Sequence, residues 1–312
     1  MLKSMLAIPA LVLCLCGVGT SQDPEAGNKV HSISVDVTRV VLYATVREDK
    51  SAIVGDLAKE QFTVLEDGKP QEILSFGRDD VPVAIGLLVD NSGSMMNKRP
   101  QVIEAAKSFL RATNPMDEIF VLHFNESLTY GLPGNIQFTS DQVLLGEALD
   151  RAQQTGRTAL YDAIAEGLNR LQRSTLTKKA LIVLSDGGDN FSRRKDRDVI
   201  EQADLTGALF YAIGIYDPMD GDANPKLLRE LAKKTGGESF FPEKVTEIRE
   251  ICKVISHDLR NQYMLAYAPP ANSKSDYRKL EVKVKDTRGR KLIVRTRTGY
   301  YSKELQNRGS EQ

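Results

Sequence analysis

The stretch VAIGLLVDNSGSM, residues 83–95, decides how the rest of the chain is read. Val83 to Val89 are apolar without alternation, the pattern of a strand buried on both faces. Asp90, Asn91, Ser92 and Ser94 then place an acid, an amide and two hydroxyls where the core ends. Downstream, PQVIEAAKSFLRAT sets Val102, Ala106, Phe109 and Leu110 on one helical face. Strand EIFVLHFN follows, then helices SDQVLLGEALDRA and TALYDAIAEGLNRL and strand ALIVLSD. Helix DRDVIEQADLTG, strand ALFYAIGI, helix PKLLRELAKKT, short strand SFF and helix VTEIREICKVISHDL complete the run. Continuous apolar strands separated by amphipathic helices predict an α/β, doubly wound, mostly parallel sheet over residues 81–260. In such sheets the functional crevice lies beyond the carboxyl ends of the strands.

The flanks have a different period. In residues 30–80, SISVDV alternates through Ile33, Val35 and Val37, LYATV through Leu42, Ala44 and Val46, and FTVLEDGKPQEILSF reads as a hairpin around Asp67 and Gly68. Residues 261–302 repeat the pattern with YMLAYA, RKLEVKV and KLIVRTR. Neither flank has enough strands to stand alone, so the two are expected to pair into one small β-sandwich-like module. Residues 303–312 read as a flexible tail.

At 312 residues, 41% hydrophobic and 27% charged, the chain can build one full-sized core and a smaller one. Lys plus Arg and Asp plus Glu both number 42, so no basic footprint for nucleic acid exists. The run RRK at 193–195 is answered at once by DRD. Lys3, the apolar MLAIPALVLCLCGVG and the exit TSQ predict a signal peptide over residues 1–21, cleaved between Ser21 and Gln22. The protein is then expected to be exported, periplasmic or extracellular. Cys14 and Cys16 each follow a leucine where a lipoprotein signal needs a small residue. Cys252, the cysteine left after cleavage, shares a helical face with Ile248, Ile255 and Leu259 and reads as core, a reactive thiol being the alternative.

Asp90 and Asp186 each end a predicted strand. If both strands are central and parallel, the two carboxylates emerge on one edge, where Ser92, Ser94 and the loop TGRTALYD can join them. Two carboxylates among neutral oxygens suit a hard divalent cation such as Mg2+. His31, His123 and His257 are scattered and make no zinc site.

DNSGSM matches the D-x-S-x-S signature of von Willebrand factor type A domains, and SDGGDN resembles their second aspartate element. The flanks resemble those of exported proteins of this type from acidobacteria. The resemblance implies a metal-ion-dependent adhesion site: Asp90, Ser92 and Ser94 as first-loop ligands, Thr158 as the second-loop hydroxyl and Asp186 as the third-loop carboxylate. It implies Mg2+, with Mn2+ or Ca2+ as alternatives, and a partner protein whose acidic residue completes the coordination. Asn91, Arg157, Asp162 and Gly187 are candidates for supporting or ligand contacts. Arg157 stands where many members have glycine, and a guanidinium beside the ion would oppose the cation while favouring an acidic partner.

Each residue also has a plainer reading. Asp90 could close a turn, Thr158 could cap the helix that follows, and Asp162 could be a first-turn acid favoured by the helix dipole. Asp217, Asp220 and Asp222 lack calcium-loop spacing and read as a solvated loop. A binding module is expected, not an enzyme, and no small-molecule substrate is evident. The alternative is a structural protein of the envelope, associating through its β module around a vestigial site. A metal-assisted hydrolase is the remaining possibility, but no nucleophile elbow, Walker loop or HExxH accompanies the site.

Overall fold

A computed structural model describes residues 39–49, 52–78, 80–151, 156–215, 224–270 and 276–301. The proposed leader, the alternating strand of Ile33 to Val37, His31, the tail and the acidic loop of Asp217 to Asp222 lie outside them.

The first flank forms β1 (Val40–Glu48), β2 (Ala52–Ile53), β3 (Phe62–Glu66), β4 (Lys69–Gln71) and β5 (Ser75–Gly77). The middle of the chain follows as β6 (Val83–Asp90), α1 (Arg99–Leu110), β7 (Glu118–Phe124), β8 (Leu128–Tyr130), α2 (Gln142–Asp150) and α3 (Leu160–Gln172). It continues with β9 (Lys178–Ser185), α4 (Asp196–Thr206), β10 (Leu209–Gly214), α5 (Pro225–Thr235), β11 (Ser239–Phe240) and α6 (Ile248–Arg260). The second flank adds β12 (Tyr263–Tyr267), β13 (Tyr277–Val284), β14 (Leu292–Arg295) and β15 (Gly299–Tyr301).

The middle segment is a six-stranded sheet in the order β11-β10-β9-β6-β7-β8, parallel except for the last pair. Every residue of β6 is buried, as its unbroken apolar run requires of a strand covered on both faces. Helices α3, α4 and α5 pack in series on one side of the sheet, while α1 packs against α2 and α6. Local signals set the helix ends: Asn224 accepts a hydrogen bond from Leu227 N at 3.1 Å ahead of Pro225, and α5 stops at Gly236, left-handed at φ 83°.

The flanks interleave into two antiparallel sheets, one of β14, β1, β12 and β5 with β2 alongside, the other of β15, β13, β3 and β4. Their shared core holds Leu42, Ala44 and Val46 against Val64, Tyr263, Leu265, Leu280 and Val282. The Asp67–Gly68 turn between β3 and β4 has both residues at positive φ, 48° and 78°, as a two-residue hairpin with the right twist demands.

Strand β1 works on both its faces. Its even-numbered residues fill the sandwich, while Tyr43, Thr45 and Arg47 meet the α/β layer. Lys178 Nζ stands 4.8 Å from the Tyr43 ring and donates to Leu259 O at 2.5 Å. Asp258, 1% exposed near the end of α6, accepts from Thr45 Oγ1 at 2.8 Å, from the Tyr211 hydroxyl at 2.5 Å and from Arg295. A buried carboxylate at a helix carboxyl end is disfavoured by desolvation and by the helix dipole, so these donors are what make it tolerable. No described helix is long and apolar enough to cross a membrane.

Candidate metal centre

Strands β6 and β9 are adjacent and central, so Asp90 and the residue after β9, Asp186, leave the sheet on the same edge. Both are buried, 0% and 1% exposed. Asp90 Oδ1 accepts from Ser92 N at 2.9 Å and Oδ2 from Ser185 Oγ at 2.6 Å. Asp186 accepts from Ser94 Oγ, and Ser94 Oγ lies 3.1 Å from Ser92 Oγ. Four of the five candidate ligands therefore form one connected group of oxygens.

Thr158 is brought alongside by backbone. Gly93 N donates to Gly156 O at 3.2 Å, tying the first loop to the second. Asn190 then brackets Thr158: its side chain accepts from Thr158 N at 2.9 Å, and the amides of Asn190 and Phe191 both donate to Thr158 O at 3.0 Å. The helix cap at the start of α3 is Ala159, so the plainer reading of Thr158 as that cap does not hold. Among the described residues no group hydrogen-bonds the Thr158 hydroxyl, although the residue is only 4% exposed.

The supporting candidates divide by role. Asn91 is buried and braced on three sides, by Phe124 O, Arg99 and His123. Gly187 is left-handed at φ 82°, a conformation that lets its amide return to Ser185 Oγ at 3.0 Å and that a side chain would strain. Asp162 accepts from the amides of Arg193 at 3.1 Å and Arg194 at 3.2 Å and pairs with the Arg194 guanidinium. It thereby fastens the third loop to the first turn of α3; burial opposes its charge, but these donors hold its pKa below the ordinary carboxylate value.

Arg157 is engaged by Glu126 and Phe191. Its amide and Nε both donate to Glu126 Oε1, at 3.0 and 3.2 Å, and its guanidinium lies 4.2 Å from the centre of the Phe191 ring. The expected opposition to a cation is thus largely met by Glu126. Asn190 and Asp189 were missed in the sequence, although both stand in SDGGDN; Asp189 accepts from Ser192 Oγ at 2.5 Å and Tyr161 N at 3.2 Å.

Charge is what the group lacks. Among the described residues neither Asp90 nor Asp186 makes an ion pair with a basic side chain. Burial first, and the neighbouring Asp186 second, push the Asp90 pKa up to about 7. Two buried carboxylates sharing hydroxyls without a counter-charge fit a hard, oxygen-seeking divalent cation. The described residues hold no group of three or more His, Cys, Asp or Glu placed to bind a metal, so such an ion would depend on the hydroxyls.

Comparison with known proteins agrees with this architecture. A solved von Willebrand factor type A structure from Catenulispora acidiphila is similar at TM-score 0.51 and 16% identity, covering 77% of this chain and 70% of that one. The pilus adhesin SpaC from Lactobacillus rhamnosus GG, in its open conformation, is similar at TM-score 0.47 and 12% identity, covering 76% and 47%. At 16% identity the likeness to the Catenulispora structure is one of fold alone. No curated protein matches the sequence. Residues 84–254 match the sequence model of the von Willebrand factor type A domain, a span that runs from the second residue of β6 into α6 and so holds nearly all of the six-stranded sheet and its helices. This chain belongs to the von Willebrand factor type A domain family.

Proposed function

We propose that this protein is an exported, non-enzymatic binding module that captures an acidic side chain of a partner protein through a divalent cation. Asp90, Ser92, Ser94, Thr158 and Asp186 hold the ion, Mg2+ ahead of Mn2+ or Ca2+, because mostly neutral oxygen ligands in a small cage favour the smaller cation. Bound there, the ion offers an electrophilic position that the partner's carboxylate completes. The single observation that carries this reading is the buried Asp90 and Asp186 pair at the ends of adjacent parallel strands, bridged by serines and without a counter-charge. The chain's own residues set the terms: two carboxylates attract the ion, the hydroxyls contribute oxygens without cancelling its remaining charge, and Glu126 keeps Arg157 from competing.

A hydrolytic role would need a general base at the opening. His123, the histidine that touches the first loop, directs both nitrogens inward, to Asn91 and Ala148 O. Assembly through sandwich edges finds only short strands, since β4, β5 and β15 are three residues each and β14 four, and β4 carries Lys69 and Pro70. The resemblance of the flanks to those of exported acidobacterial proteins of this type favours the same reading.

Calorimetric titration of Mg2+ into wild type and Asp186→Ala tests the proposal. Saturable binding that the substitution abolishes is the expected result. Equal binding by both proteins, or none by wild type, would refute it.

A further inference from the structure

Both polar atoms of the Asn91 side chain are engaged, and the orientation of its amide follows from one partner. Arg99 Nε can only donate, so Asn91 Oδ1 faces it, at 2.8 Å. Asn91 Nδ2 must then face Val89 O, at 3.1 Å, and His123 Nδ1, at 2.8 Å. An amide nitrogen cannot accept, so His123 Nδ1 is the acceptor and its proton sits on Nε2. From there it is donated to Ala148 O at 2.6 Å. His123 is 3% exposed, and burial holds its pKa below the ordinary histidine value, in keeping with a neutral ring.

The far ends of these bonds are Ala148 O and, from Arg99 Nη2, Leu149 O at 3.1 Å. Both are last-turn carbonyls of α2, which have no partner within the helix. His123 and Arg99 thus act as two struts from the carboxyl end of α2 to the residue between Asp90 and Ser92. Asn91 N completes the fixation by donating to Phe124 O at 2.8 Å on the neighbouring strand.

We infer that His123 is a positioning residue for the first loop: by accepting from Asn91 Nδ2 it fixes the backbone that aims Asp90, Ser92 and Ser94, and so sets how well the loop holds a cation. The affinity part rests on the proposed function; the loop-geometry part does not. Groups that orient metal ligands are worth about 10- to 100-fold in affinity, so loss of the Asn91 bond is expected to weaken Mg2+ binding about tenfold.

The test uses the full-length protein and three variants. His123→Leu removes both ring bonds. His123→Asn places its Oδ1 near the position of the ring Nδ1 and keeps an acceptor for Asn91, whereas His123→Gln reaches Ala148 O and leaves Asn91 without one. Amide hydrogen exchange of residues 91–93 is followed in chelator, and Mg2+ affinity by calorimetry. The Leu and Gln variants are expected to exchange about tenfold faster and bind about tenfold more weakly, with the Asn variant within about twofold of wild type on both readings. A role confined to stability would instead rank the variants by their denaturation midpoints. Exchange and affinity that follow stability, or an Asn variant as impaired as the Gln variant, would overturn the inference. Should His123→Leu not fold, Arg99→Met frees the opposite side of Asn91 and carries the same expectation. Absence of Mg2+ binding in wild type would refute the cation reading, and the exchange rates alone would then decide the positioning role.

Discussion

Replacing Asp90 by asparagine should change how stability depends on pH, and by a calculable amount. In the metal-free protein, burial and the nearby Asp186 carboxylate raise the Asp90 pKa to about 7, against about 3.9 in an unfolded chain. Between those values the folded state holds a proton that the unfolded state has released. An acid raised in this direction contributes fully below the unfolded pKa, and its contribution is lost as pH rises through the folded one. At about 1.4 kcal/mol per pH unit over roughly three units, wild type should lose about 4 kcal/mol between pH 4 and pH 7 that Asp90→Asn does not lose. The asparagine retains an acceptor for Ser92 N or Ser185 Oγ, and any packing cost it brings is constant with pH. Urea denaturation of both proteins in chelator at half-unit pH steps gives the difference directly. Parallel curves across pH 4 to 7 would refute the buried, counter-ion-free picture of the pair.

Three further outcomes are expected. Asp258→Ala should cost about 3–5 kcal/mol in chemical denaturation, because it strips a buried partner from Arg295; Tyr211→Phe, which removes one hydroxyl donor to Asp258, should cost about 1 kcal/mol. Intact mass should show a mature protein that begins at Gln22, and a product retaining residues 1–21 would contradict export by cleavage.

Much of the α/β layer is legible in sequence because its residues answer to one environment. The apolar run of β6 has core on both faces, and the faces of α3 and α5 bury the leucines that their spacing selects. Residues that answer to two environments are harder. The alternation in β1 points to one buried and one wet face, yet Thr45 on the supposedly wet face is 1% exposed, because Asp258 supplies a partner from more than two hundred residues away. The candidate ligands follow local order, which is why Asp90, Ser92, Ser94, Thr158 and Asp186 are visible together. Their supports are not: His123 reads as a satisfied strand residue, which it is, but nothing in FVLHFN indicates that Asn91 satisfies it. The conduct of Arg157 is equally hidden, since it depends on Glu126, which reaches it across a turn of another loop.

The two-faced strand β1 has a mechanical consequence. The sandwich that it anchors adjoins the layer where β6 begins and α6 ends, and the candidate ligands lie where β6 ends. Tension between a captured partner and the sandwich would run along β6, whose hydrogen bonds to β7 and β9 lie across the direction of pull. Those bonds would be loaded together in shear, not opened one after another.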